Sequence, residues 1–226
     1  MYFDPLWIAL MVVSTLLGFV TQRYIKSSFR KWSNVGVSSG MTGAQIARSI
    51  LDANGLQDVA IQQVAGDLSD HYDPRSKTLG LSSAVHNVAS VAAAGVAAHE
   101  AGHAVQDARG YVWGSIRSAL VPVVGFGSGA AWILIMIGFI IPALGPLIWL
   151  GILFYAGAVL FQIVTLPVEF DASRRALVNL EGTGAVDAGQ LAGARQVLTA
   201  AALTYVAAAL ISALQLLYYI GLARRD

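Results

Sequence analysis

The 226-residue chain carries a formal net charge of +1, is 56% hydrophobic and only 12% charged, and has no cysteine; a soluble domain is about 25% charged. The near-neutral balance gives no reason to expect a nucleic-acid partner, and the missing thiols exclude disulfides and cysteine ligands or nucleophiles. The charges are also segregated, with no Asp, Glu, Lys or Arg from Ser118 to Val168 or from Gln196 to Ala223. Both runs exceed the ~20 residues needed to cross a bilayer. The composition predicts a mainly α membrane protein, with about four transmembrane helices and a small α+β cytoplasmic insertion.

Residues 1–22 read as the first transmembrane helix, apolar from Leu6 to Val20. The positive charge follows this run and Asp4 precedes it, the reverse of a signal peptide, so a retained span with an outside N-terminus is expected. Arg23, Lys26, Arg30 and Lys31 then form a cytoplasmic anchor by the positive-inside rule. They open a cytoplasmic region, residues 23–117. Within it, Thr42 to Asn54 has Ile46, Ile50 and Leu51 at helical spacing, Thr42 as N-cap and Gly55 as a stop. Val59 to Val64 reads as a short strand, Asp67 to Arg75 as a polar stretch, and Thr78 to Ser82 as an alternating strand. Gly80 marks a place where another backbone could approach. Ser83 to Gln106 is predicted to be one helix. Its apolar run, Val88 to Ala98, is too short to span and suits a core helix packed closely through Ala and Gly.

Residues 118–168 are expected to form a transmembrane hairpin, with Pro142, Gly145 and Pro146 turning it and Pro167 at its exit. A cytoplasmic helical segment, residues 169–195, and a last transmembrane helix and tail, residues 196–226, complete the chain. This topology puts twelve Lys and Arg, from Arg23 to Arg195, inside and leaves Arg224 and Arg225 outside. It predicts a multi-pass plasma-membrane protein.

Two of the four histidines stand in His99-Glu100-Ala101-Gly102-His103. On a helix, i and i+4 share a face one turn apart, so both imidazoles can grip one ion. Glu100, between them in sequence, is placed to act as a general base on water. This is the H-E-x-x-H pattern of zinc metalloproteases. With no cysteine, the remaining ligand must be His, Glu or Asp. Glu169 and Asp171 are the only acids close to the charge-free runs at this point of the chain. They lie about 200° apart on a regular helix, so both cannot bind one ion. Glu169 has the longer reach. Asp171 suits either the positive end of a helix or a hydrogen bond that fixes a ligand histidine. His71, in the polar stretch, is a candidate for oxyanion stabilisation or gating, or a solvated loop histidine. His86 reads as structural, and Arg174 and Arg175 as interfacial anchors.

Three stretches carry a resemblance: Asp70-His71-Tyr72-Asp73-Pro74-Arg75-Ser76-Lys77-Thr78-Leu79, Ala97 to Gln106 around the motif, and Leu166-Pro167-Val168-Glu169-Phe170-Asp171-Ala172-Ser173. Together with the first span they resemble the YugP-like neutral zinc metallopeptidases of bacteria, in order and over essentially the whole chain. The chain is more distantly similar to the HtpX and CAAX prenyl proteases. The resemblance implies one Zn²⁺ per chain held by His99, His103 and Glu169 at the cytoplasmic membrane face, with Glu100 as base. In related glutamate-zincins an Asp four residues after the ligand Glu often orients a histidine. Ser173 stands there, a weaker partner that Asp171 could replace.

The expected activity is a membrane-bound zinc endopeptidase cutting membrane or membrane-proximal proteins at the cytoplasmic face. Its partners would be a protein or peptide substrate, the lipid bilayer and an unidentified membrane regulator. The strand Thr78 to Ser82 is expected to offer an edge to an extended substrate. The competing readings are a site-2-type intramembrane protease and a non-catalytic scaffold or metal-binding protein. The short run before His99 and the lack of Leu-Asp-Gly oppose the first, and an intact Glu100 opposes the second.

Overall fold

A computed structural model describes residues 4–66 and 68–224, apart from the side chains of 123, 126 and 128. Asp67, Arg225 and the first three residues, which entered the reading of the sequence above, lie outside the described residues. The elements are mostly helical: α1 (Pro5–Ser33), α2 (Gly43–Ala53), β1 (Ala60–Val64), β2 (His71–Asp73), β3 (Thr78–Ser82), α3 (Ser83–His86), α4 (Val91–Ala108), α5 (Val112–Ile140), α6 (Pro146–Thr183) and α7 (Ala188–Ala223), with a 3₁₀ turn at Pro142–Leu144. Three helices among the described residues are long and apolar enough to cross a membrane: α1, α6 and α7. In α5 the apolar stretch described as such is the shorter Gly129–Ile140. The chain divides into two units. One takes in the chain up to Thr21, Ser115–Pro167 and the chain from Thr204; the other takes in Gln22–Gly114 and Val168–Leu203.

The first unit is apolar and close-packed where α5 turns back into α6. A Cβ on Gly138 would lie 2.5 Å from the Ile148 side chain, and one on Gly151 would lie 2.8 Å from the Ala131 carbonyl oxygen. Small residues let two backbones approach where no hydrophobic force drives helices together in lipid. Ile135, Ile148 and Ile152 fill the resulting contact.

The second unit carries the β strands found among the described residues. Thr42 caps α2 through a reciprocal pair of bonds with Gln45, a capping box. Gly55, at φ +77°, takes the left-handed turn that stops the helix. The sheet has the order β1-β3-β2, with β1 parallel and β2 antiparallel to β3. Two expectations change here. The polar stretch around His71 includes a strand, which pairs His71 with Gly80 and Asp73 with Thr78. With this second neighbour β3 becomes the central strand, hydrogen-bonded on both sides, so it has no free edge for a substrate. Gly80 is indeed approached closely, but by side chains: a Cβ there would lie 2.8 Å from the His71 ring and 3.0 Å from Val64.

The helix predicted from Ser83 to Gln106 is broken. Asn87 closes α3, and Ser90 opens α4 by accepting a hydrogen bond from Ala93 N–H. The break has a tertiary cause. Val91 N–H donates to the Val35 carbonyl and Val37 N–H to the Ala89 carbonyl, so this stretch pairs with the chain leaving α1. Pro167, expected at the exit of the hairpin, does not interrupt the chain's helix, because α6 runs through it. A proline inside a helix forfeits one backbone hydrogen bond, which a 38-residue helix tolerates. At α7, Asp187 and Gln190 exchange capping hydrogen bonds, and Gln190 also accepts from Ser38 and donates to the Gly36 carbonyl.

The core of this unit joins Ile46, Ile50 and Leu51 of α2, Leu79 and Leu81 of β3, the alanines of α4, and Ala176, Leu180, Ala194 and Leu198 of α6 and α7. Leu79 and Leu81 are both fully buried. Replacing either by Ala should destabilise the protein by about 2–5 kcal/mol, read as a lowered denaturation midpoint in detergent. Gln62→Ala on the exposed part of β1 should stay within about 0.5 kcal/mol.

Candidate metal centre

His99 and His103 lie on successive turns of α4, and their rings meet edge to face with centroids 4.7 Å apart. Opposite them stands Glu169 of α6, only 2% exposed. One oxygen, Oε2, is 3.2 Å from His99 Nε2 and 3.8 Å from His103 Nε2. The three residues offer ligand atoms that all lie within 4.8 Å of one another, and they form the one such group among the described residues. The two other histidines are placed elsewhere. His71 Nδ1 is 2.8 Å from the Ser69 carbonyl oxygen, and His86 Nδ1 is 2.8 Å from Asn87 Oδ1.

The proximity of α4 and α6 depends on the glycine inside the motif. A Cβ on Gly102 would lie 2.8 Å from the Ala172 carbonyl oxygen and 3.4 Å from its Cα. No side chain can yield there, because the obstacle is backbone. Ala172 is itself fully buried. Two small residues therefore bring the helix axes close enough for a glutamate to reach two histidines on the neighbouring helix.

Behind each imidazole is a second partner. Ser173 Oγ is 3.2 Å from His99 Nδ1, so a hydroxyl stands behind this ring. Behind His103 is a residue that the sequence reading did not single out: Gln106 Oε1, 3.0 Å from His103 Nδ1. Gln106 is 3% exposed and donates from Nε2 to the Val168 carbonyl at 2.8 Å and to Asp171 Oδ2 at 2.9 Å. Its signal was present in the sequence, since Gln106 is three residues after His103 and so shares its helix face. Asp171 therefore reaches a histidine indirectly, through Gln106. Its carboxylate also accepts from Arg174 and Arg175, so these arginines are engaged with Asp171.

The rest of the Asp70 to Thr78 stretch is spent on structure. Asp70 accepts from Ser82 N–H and Oγ–H, Asp73 accepts from Arg75 N–H and Ser76 Oγ–H, and the Tyr72 hydroxyl donates to Asp107 on α4 at 3.0 Å. These bonds close the β2–β3 hairpin and tie it to the helix that carries the motif.

The electrostatics suit a cation. Burial alone would raise the Glu169 carboxyl, but the facing imidazoles of His103 and His99 outweigh it and hold the group below the ordinary carboxylate range. For His103 burial favours the neutral ring, yet Glu169 and Glu100 prevail and hold its pKa above the ordinary 6.5. A buried carboxylate facing two Nε2 atoms is the donor set of a His₂Glu zinc site, so the residues present fit the ion.

Two predictions follow from this geometry. Gly102→Ala should separate α4 from α6 and cut bound zinc at least about tenfold, as measured by mass spectrometry of the purified protein. The second concerns pH. His103 has a raised pKa when folded, so its contribution to stability is complete below pH 6.5 and fades as pH climbs through the folded value. Glu169 has a lowered pKa, so its contribution is present above pH 4.5 and fades as pH falls through the folded value. Metal-free protein should therefore melt at a lower temperature at pH 8 than at pH 6. Zinc uptake should rise over the same interval, because an imidazole must be neutral to bind.

Comparison with known proteins agrees with the chemistry of these residues. A family model described as "Putative neutral zinc metallopeptidase" matches residues 7–224. The chain is 46% identical over 215 residues to a protein of Bacillus subtilis named "Putative membrane protease YugP", covering 95% of each chain. No solved structure matches it. A model match over almost the entire length, together with this relative, shows that the chain belongs to the neutral zinc metallopeptidase family.

Proposed function

We propose that this chain is a membrane-bound zinc endopeptidase that hydrolyses peptide bonds of membrane or membrane-proximal proteins at the cytoplasmic face. The observation that carries this reading is the convergence of His99 Nε2, His103 Nε2 and the Glu169 carboxylate on one buried point. In this reading those three residues hold one zinc ion, which supplies Lewis-acid polarisation of the scissile carbonyl and acidifies water. Glu100, 8% exposed and on the same helix, accepts a proton from the attacking water at its carboxylate. The water oxygen bonds to the carbonyl carbon, the carbon–nitrogen bond breaks, and Glu100 returns the proton to the leaving amine. Ser173 and Gln106 hold the two imidazoles from behind.

The topology in this reading has four spans, with α5 joining α1, α6 and α7. Apart from Arg117, α5 carries no Asp, Glu, Lys or Arg along its 29 residues. The cluster of Arg23, Lys26, Arg30 and Lys31 supports a metal centre on the cytoplasmic side. An endopeptidase fits the site better than a site-2-type intramembrane protease, since α4 is not among the helices apolar and long enough to span. It also fits better than a scaffold, which has no need of an acid at position 100.

The test separates the roles of two glutamates. Glu100→Gln should retain about one zinc per chain and lose at least about a hundredfold in turnover of a flexible protein substrate. Glu169→Ala should lose the zinc itself. Full turnover in the Glu100 variant, or wild-type zinc in the Glu169 variant, would overturn the assignment.

A further inference from the structure

We propose that Gln106 is a positioning residue that fixes His103 as the Nδ1–H tautomer and thereby keeps the Nε2 lone pair free for the metal. The inference rests on His103 being a ligand. A neutral imidazole carries its proton on one nitrogen, and the hydrogen bond made by the other end decides which. Only a nitrogen without a proton can bind a metal, so the tautomer determines whether His103 Nε2 is a ligand or a blocked position.

The orientation of the Gln106 amide follows from its neighbours. Two groups at one end, the Val168 carbonyl and the Asp171 carboxylate, are acceptors only. Both N–H bonds of the amide nitrogen must face them, because the opposite orientation would set an oxygen against two oxygens in a buried place. The amide oxygen is then left for His103 Nδ1, and an oxygen can only accept. Asp171 thus sets the tautomer of His103 without touching it; Glu169 Oε2, the acceptor on the other side of the ring, is 3.8 Å from Nε2 and beyond hydrogen-bond reach.

The anchor is itself held. Arg174 and Arg175 both donate to Asp171, which keeps it charged and turned toward Gln106. Arg175 is mostly buried and lies over the Tyr111 ring, 5.9 Å from its centroid. Tyr111 N–H in turn donates to the Gln106 backbone carbonyl at 3.0 Å. The chain of contacts thus closes on the end of α4, and it gives the paired arginines a partner within the protein. His99 is treated differently. Its Nδ1 faces the Ser173 hydroxyl, which rotates to donate or accept and so selects neither tautomer.

The experiment uses the full-length protein in detergent with ¹⁵N-labelled histidine; the chain has only four. Long-range ¹H–¹⁵N spectra are recorded without metal, at a pH where the imidazoles are neutral, and zinc affinity is measured by chelator competition. Wild-type His103 should appear as Nδ1–H. Gln106→Leu should lose that preference and weaken zinc binding about 10- to 100-fold. Gln106→Glu has the same shape; as the neutral acid it can donate its one proton to Asp171 and still turn an acceptor oxygen to His103, so it should keep His103 as Nδ1–H. Wild-type His103 found as Nε2–H would overturn the proposal. So would a folded Leu variant with unchanged tautomer and affinity, the result expected if Gln106 only fills space. If the Leu variant does not fold, the Glu spectrum decides, and loss of Nδ1–H there would overturn the proposal. A wild type that takes up no zinc would sink the zinc reading, while the metal-free tautomer would still decide this one.

Discussion

The close approach of α4 to α6 at Gly102 and Ala172 is the constraint on which the metal centre depends. A glutamate side chain has a short reach, and Glu169 must extend from one helix to imidazoles on another. Helices with ordinary side chains between them pack 8–10 Å apart. Removing Cβ from position 102 brings the backbone of α4 against the Ala172 carbonyl. Further along α4, Gly95 faces α7, where an added Cβ would meet Ala194 at 3.5 Å, an ordinary van der Waals contact. The alanine and glycine content of this helix is thus the means by which two other helices are drawn in around the motif.

Such closeness has an electrostatic consequence. A carboxylate with almost no exposure is costly unless it is paired. Glu169 meets this requirement through the two histidines, and Asp171, two residues on, meets it through two arginines and Gln106. The two acids point to opposite sides of α6, as helical geometry requires. One faces the metal position, and the other faces the scaffold that supports it. Each acid therefore has a cationic or proton-donating environment of its own.

The chain belongs to the neutral zinc metallopeptidase family, and the residues around its candidate metal centre divide the support of the two imidazoles between them. Ser173 supplies a hydroxyl to His99. The Asp171 carboxylate bears on the other histidine, through Gln106, as a tautomer preference. The Asp70 to Thr78 stretch is used differently again. It forms the strand and turn that fasten the sheet to α4 through Tyr72 and Asp107.

Much of this was legible in the residues themselves. The H-E-x-x-H spacing put two imidazoles on one face because helical periodicity is a local property. The charge-free runs marked the apolar helices because the bilayer imposes length and hydropathy locally as well. The caps at Thr42 and Gly55 lay where their chemistry indicated. What only the tertiary structure decided were contacts between segments distant in sequence. The break before Val91 comes from pairing with residues 35–37. The centrality of β3 comes from β2, a three-residue strand too short to show an alternating pattern. The continuity of α6 through Pro167 reverses a local signal, since a proline inside a helix costs about 3 kcal/mol and would by itself end or kink it. Gln106 became visible only once Val168 and Asp171 were seen at its amide, more than sixty residues away in the chain. The sequence by itself determined which groups could bind zinc, because ligand chemistry resides in residue types. The folded chain decided which nitrogen of His103 each neighbour addresses, because that depends on acceptors supplied by another helix.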